Sequence, residues 1–140
     1  MLDRFVFAHA DTYDQALAEL RRGRKTSHWM WFVFPQIAGL GRSETARFFA
    51  IRDADEARAY LAHPLLGPRL IEAVEAVISA DGSAESILGG IDAVKLRSSL
   101  TLFGEVADDP CPFERGLARF YRGEPDPETL RLLSPRPAAA

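Results

Sequence analysis

The chain of 140 residues is 47% hydrophobic and 26% charged, the balance of an ordinary globular protein long enough to bury its own core. Its formal charge of −3, from 17 basic and 20 acidic side chains, argues against general nucleic-acid binding, which draws on a basic surplus. A single cysteine, Cys111, excludes an intramolecular disulfide, and no apolar run approaches the ~18 residues of a membrane span. The first residues lack a signal-peptide pattern, so the expectation is a soluble cytoplasmic protein that does not bind membranes.

Helix start and stop signals succeed one another along the chain. Asp11 or Thr12 caps a first predicted helix, with Tyr13, Ala16, Leu17 and Leu20 at helical spacing and Gly23 as its stop. Thr26 or Ser27 caps a second, which must end near Phe34 because Pro35 disfavours the α conformation in the residue before it. Ser43 opens a third. Asp53 with Glu56 has capping-box form and opens a fourth, closed by Pro64. From Leu65 onward Leu66, Leu70, Val74 and Val77 mark a longer helix that ends near Gly82.

Ser83 caps a short turn through Leu88, and Asp92 caps the helix that begins "AVKLRSSLTLF". Pro112 and Pro127 each look like the first residue of a further helix, since proline at that position gives up no hydrogen bond. No alternating strand pattern is present, and the short apolar run "MWFVF" is read as helix from its cap and proline exit. The fold class expected is all-α: a single-domain orthogonal array of about eight short helices over residues 1–133, with 134–140 as a loose tail.

Four stretches draw attention as chemistry. On the predicted second helix His28, Phe32 and Gln36 fall at i, i+4 and i+8, with tryptophans at Trp29 and Trp31. One reading is a buried core helix whose polar tips find partners. The other is a pocket wall on which Trp31 stacks a planar ligand while His28 and Gln36 orient it. In "AGLGRS" two glycines, Arg42 and the Ser43 cap form a turn into a helix; it serves as a connection, or as a phosphate site. "RRGRK" places Arg24 and Lys25 beyond the reach of a helix dipole, at the mouth of whatever the aromatic segment lines.

The fourth stretch is "DAVKLRSSLTLF". Ser98, Ser99 and Thr101 are unusually many hydroxyls for one helix, explained either by close packing or by a polar surface facing a ligand. Lys95 on that surface would pair with a phosphate, a carboxylate or Asp92. Histidines at His9, His28 and His63 have no metal-ligand spacing, and no cofactor motif, zinc helix, phosphate loop or nucleophile elbow occurs. No metal and no cofactor is expected. A Ser98 or Ser99 nucleophile with Lys95 as base can be drawn, but nothing marks an oxyanion hole.

Taken together, "KTSHWMWFVFPQIAGLGRS", "YLAHPLLGPRL", "DAVKLRSSLTLF" and "FYRGEPDPETLRLL" closely resemble a bacterial all-α family of unknown function, sometimes labelled calpastatin. The match runs through nearly the whole chain in order. The label carries no weight, since an inhibitor of that kind is a disordered, repetitive chain. The resemblance implies an orthogonal helical array and singles out His28, Trp31, Gln36, Gly67, Asp92, Lys95, Ser98 and Ser99 among its motif positions. In general arrangement the chain is also similar to the NADAR proteins, which handle ADP-ribose derivatives, although their characteristic acidic residues are not evident here.

The functional expectation is binding or processing of a small anionic ligand, a nucleotide or ADP-ribose-like molecule. Lys95 with Arg42 or Lys25 would meet its charge, and Trp31 or Trp29 its ring. Gln36, Ser98 and Ser99 would supply hydrogen bonds. His28 is the acid–base candidate, since imidazole titrates near neutrality. The alternative is a non-enzymatic protein-interaction module using an exposed aromatic patch.

Overall fold

The computed structural model describes residues 2–134, and within them the backbone forms ten α-helices and no strand. The helices are α1 (Asp3–Ala10), α2 (Tyr13–Arg22), α3 (Met30–Val33), α4 (Glu44–Phe48) and α5 (Ala54–Ala62), then α6 (Leu66–Ser79), α7 (Ala84–Leu88), α8 (Gly90–Val106), α9 (Cys111–Tyr121) and α10 (Pro127–Leu133). The expected tail lies, from residue 135 on, outside the described residues.

The caps explain most boundaries. Ser43 accepts a hydrogen bond from the Ala46 amide, Asp53 from Glu56 and Asp126 from Thr129, each satisfying an orphan donor of a first turn. Ser83 and Ser86 bond reciprocally in a capping box. After Arg22 the chain turns at Gly23, whose φ of 79° suits a residue without a Cβ.

Three expectations need correction. An additional helix, α1, precedes the first predicted one; Leu2 at its N-cap position makes no side-chain cap bond, so it carries no start signal. The second predicted helix shrinks to one turn. Thr26 and Ser27 do not cap it, because their amides point at the carboxylate of Glu19 instead. The His28–Phe32–Gln36 row therefore does not exist, as only Phe32 of the three is helical. Finally, α8 starts at Gly90, two residues before Asp92, which lies in its first turn and faces lysines.

The longest helix, α8, packs against α5, α7, α9 and α10, while α6 meets α2, α5 and α9. Trp29, Tyr60, Phe5, Phe34, Phe103 and Phe113 are the largest fully buried side chains. Phe5 meets Tyr60 edge-on at 5.1 Å, and Tyr60 continues to Phe103 at 5.3 Å, so α1, α5 and α8 share one aromatic file. Between α3 and α5 the backbone closes a loop around α4. Ala38 donates to Ile51 and Ile51 to Gln36, both at 2.8 Å, forming an isolated parallel bridge of Ile37 with Ile51.

The "AHPLLG" motif is structural. His63 Nδ1 accepts hydrogen bonds from the Leu65 and Leu66 amides at 3.1 and 3.2 Å, capping the start of α6 rather than offering a charge to the end of α5. Gly67 then lets α6 approach α5 closely: a Cβ there would lie 2.1 Å from the Leu61 carbonyl oxygen. Alanine normally favours a helix over glycine by about 1 kcal/mol. Here backbone blocks it, so Gly67→Ala is expected to lower unfolding free energy by about 2–3 kcal/mol in urea denaturation.

His9 docks α1 onto α3. Its Nε2 donates to the Phe32 carbonyl at 2.6 Å, its ring stacks on Tyr13 at 5.4 Å, and Arg69 reaches Nδ1 at 3.4 Å. Burial is the main force pushing its pKa from 6.5 down to about 4; the Phe32 carbonyl opposes the shift, and the Arg69 charge adds to it. The unfolded chain thus binds this proton more readily than the folded one. Stability carried by neutral His9 is whole above about pH 6.5 and falls as the pH drops toward 4. Chemical denaturation at pH 7 and pH 5 should differ by roughly 2 kcal/mol from this group, and His9→Asn should flatten that interval.

Candidate functional site

The site begins with a buried carboxylate. Glu19 sits near the end of α2 and is fully buried. Oε1 accepts the Thr26 amide at 2.8 Å, the Ser27 amide at 3.0 Å and the Trp29 indole N–H at 2.9 Å. Oε2 accepts the Gln15 amide at 2.9 Å and the Ser27 hydroxyl. Burial alone would raise its pKa, but the bonds from Ser27, Gln15, Thr26 and Trp29 together outweigh burial and hold the carboxyl well below the usual carboxylate range. The segment between α2 and α3 is thereby wrapped around one anion.

That wrapping fixes Lys25 and the two tryptophans. The Lys25 amide donates to the Ile87 carbonyl at 2.7 Å, and its ammonium lies 2.8 Å from Asp92 Oδ2 and 5.2 Å from the centre of the Trp29 ring. Lys95, one turn along α8 from Asp92, lies 3.4 Å from Asp92 Oδ1 and 5.0 Å from the centre of the Trp31 ring. A row results: Trp29, Lys25, Asp92, Lys95, Trp31. The Lys25 side chain is 9% exposed, Asp92 16% and Lys95 22%, so these charges meet where water screens them poorly. Two ammonium groups face one carboxylate, a local surplus of one positive charge.

Two adjoining hollows flank this row. The first, about 330 Å³, is lined by Lys25, His28, Trp31 and Asp92 together with Gly89 and Gly90 at the start of α8. The second, about 470 Å³, has Gln36, Lys95, Ser98, Asp126 and Glu128 as polar groups and Leu40, Ile91 and Val94 as apolar ones. Ile91 lines both. Elsewhere a hollow of about 380 Å³ lies among α5, α6 and α9, but its charged lining is limited to Arg58, Asp108 and Asp109, with no aromatic–cation pair.

Of the residues nominated from sequence, Lys25, His28 and Trp31 line the first hollow, and Gln36, Lys95 and Ser98 the second. His28 is exposed. Arg42 is exposed and comes directly after Gly41, a lining residue, without lining either hollow itself; Ser99 is buried and lines neither. The hydroxyls of α8 divide their work. Ser98 donates to Asp126 at 3.1 Å and the Thr101 hydroxyl accepts the Asp126 amide at 2.8 Å, so both fasten the start of α10. Among the described residues no group of three or more His, Cys, Asp or Glu side chains could hold a metal ion, and no helix is long and apolar enough to cross a membrane.

Sequence reasoning missed Glu19 and Asp126. Glu19 follows the apolar face of α2 by helical spacing from Ala16, and a loop dense in donors comes after it. That is a weak signal, since exposed glutamates are common in such helices. Asp126 precedes Pro127 as an ordinary cap would, and nothing local reveals its contact with α8.

In this all-helical array, Asp92 and Lys95 of the longest helix meet Lys25 from the α2–α3 segment between two tryptophans. The chain belongs to the family described as "Protein of unknown function (DUF1810)", which matches residues 1–133. It is also similar to the crystal structure of the conserved hypothetical protein Rv1873 from Mycobacterium tuberculosis, with 49% identity and a TM-score of 0.92 over 94% of this chain and 95% of that one. No relative emerges among curated proteins.

Removing the Glu19 charge tests the foundation of the site. Glu19→Gln keeps the shape but turns an amide donor toward a cluster of donors, so at least one buried N–H loses its acceptor. We expect a loss of about 3 kcal/mol in chemical denaturation, together with a red-shifted tryptophan emission as Trp29 loosens. Unchanged stability and emission would show that the carboxylate does not organise the segment.

Proposed function

We propose that the chain is a cytoplasmic binding protein for a small anionic ligand, nucleotide- or ADP-ribose-like, seated across the two hollows. The observation that carries this reading is the convergence of Lys25, Lys95 and Trp31 around Asp92. Poorly screened ammonium groups in positive surplus attract an anion, and an aromatic face next to them suits a planar group. The first turn of α8 lines the same hollow and adds its positive dipole end. Gln36 and Ser98 offer directional hydrogen bonds on the far side, and Arg42 stands beyond Gly41 where a long ligand would emerge. Ser99 keeps a packing role. If a reaction accompanies binding, His28 is the group at the mouth able to move a proton.

One observation favours a second reading, a protein-interaction surface without chemistry. Ile91 is 78% exposed and Val94 65%, both on α8 beside the partly buried Trp31. Exposed apolar groups side by side on one helix suit a partner's surface.

Thermal unfolding against nucleotides, ADP-ribose, NAD, sugar phosphates and simple anions separates the two. A ligand held at a hundred times its Kd adds about 2.7 kcal/mol, a rise of several degrees for a chain of this length. Lys95→Ala should weaken binding of the responsive class at least about tenfold while the unliganded midpoint moves little, since Lys95 is the longer-range of the two Asp92 pairs. No shift across the whole panel would reject the anionic-ligand reading in favour of the Ile91–Val94 surface.

A further inference from the structure

We infer that the ligand of these hollows is a hydroxyl-bearing phosphate, with its phosphate in the first hollow and a hydroxyl donating to Asp126 Oδ1 in the second; this rests on the anionic-ligand reading above. The two hollows differ in kind. Lys25, His28 and Asp92 give the first its polar character, with the Asp92 carboxylate already shared by two lysines. The second carries two carboxylates, Asp126 and Glu128, along with Lys95. A ligand crossing both therefore meets unlike electrostatic surroundings at its two ends.

Asp126 is held as a fixed acceptor. Its Oδ2 takes the Ser98 hydroxyl at 3.1 Å, the Thr129 amide at 3.1 Å and the Thr129 hydroxyl at 2.5 Å. Its own amide is tied to Thr101 at 2.8 Å. These bonds lock the side chain between α8 and α10, and none of them uses Oδ1, which accepts no hydrogen bond among the described residues. A carboxylate oxygen left open on a rigid side chain in the wall of a hollow calls for a donor. Glu128, in contrast, is already engaged by Arg131 at 2.8 and 3.1 Å.

Charge then selects the donor. A second phosphate in this hollow would be repelled by Asp126 and Glu128. An ammonium group would be drawn by Asp126 and pushed back by Lys95, Glu128 being already engaged by Arg131, so its charge gains no net attraction to offset leaving water. A neutral hydroxyl avoids both repulsions and can also accept from the Gln36 amide. Leu40, Ile91 and Val94 accommodate the carbon skeleton between the ends.

The test compares phosphates that differ only in the group the phosphate carries: inorganic phosphate, hexyl phosphate, 6-aminohexyl phosphate, sorbitol 6-phosphate and ribose 5-phosphate, titrated calorimetrically against the full chain. Either hydroxyl compound should bind at least about tenfold tighter than inorganic and hexyl phosphate. Asp126→Asn should remove most of that advantage, read as the ratio of hydroxyl-compound to inorganic-phosphate affinity within the same variant; asparagine is itself a good N-cap, so α10 keeps its start. The comparison among ligands on the unaltered protein needs no variant and stands even if Asp126→Asn unfolds. Tightest binding of hexyl or 6-aminohexyl phosphate, or a hydroxyl advantage that survives Asp126→Asn in a folded protein, overturns the inference. If phosphate binds through Lys25 and Lys95 with no gain from hydroxyls, the anionic-ligand reading stands and this inference alone falls. If none of the five binds, this inference falls, and the nucleotide and ADP-ribose panel above decides the anionic-ligand reading.

Discussion

The carboxylate of Glu19 is the constraint on which the path from α2 to α3, and with it the lysine–aspartate–lysine row, depends. A buried anion is costly unless its lone pairs are filled, and here five donors from Gln15, Thr26, Ser27 and Trp29 fill them. The donors come from a segment with little secondary structure of its own. Without the carboxylate, the buried indole N–H of Trp29 would lose its acceptor and the amides of Thr26 and Ser27 would need other partners. The path from α2 to α3 is thus set by one side chain rather than by helix propensity.

Its consequence is the geometry of charge further on. By holding Trp29 through its N–H, Glu19 fixes the indole against which Lys25 rests, and the backbone tie from Lys25 to Ile87 brings that lysine to the start of α8. Asp92 receives it there. Lys95 is then placed by the pitch of α8, three residues on and on the same side. Two elements distant in sequence meet through a short chain of charge–charge and charge–ring contacts, each with a definite physical cause. α1 supports the arrangement from behind, because His9 holds the Phe32 carbonyl at the middle of α3, next to Trp31.

The legibility of the fold in the sequence tracks the range of the interactions. Caps at Ser43, Asp53 and Ser83 bond to amides three residues away, so a local pattern announces them, and Pro112 and Pro127 fall within the first two residues of α9 and α10 as expected. The all-α class came through for that reason. Thr26 and Ser27 looked like the same kind of cap, yet their bonding is decided by a carboxylate seven and eight residues earlier. His63 stands out in the sequence only as a histidine before a proline, and its role as an acceptor is fixed by the direction in which α6 departs. For the site, residue types were readable and juxtaposition was not. Lys95 could be paired on paper with phosphate or with Asp92, and only the tertiary fold adds Lys25 to the same carboxylate.

That shared carboxylate changes what the lysines can do. A lysine pair left bare would repel itself and bind any passing anion; with Asp92 between them, the pair is held in place and half of its charge is answered. The remainder open to a ligand is a surplus of about one charge, too little to give strong affinity alone in water. Affinity must come from contacts beyond the anion, and the neighbouring surface has them: the Trp31 face, the Leu40–Ile91–Val94 wall, and the fixed oxygen of Asp126. Under the proposed reading, this arrangement disfavours simple anions and favours a ligand that carries its charge at one end of a larger body, with Asp92 removing the part of the attraction that every anion shares and leaving the part that depends on shape and hydrogen bonding.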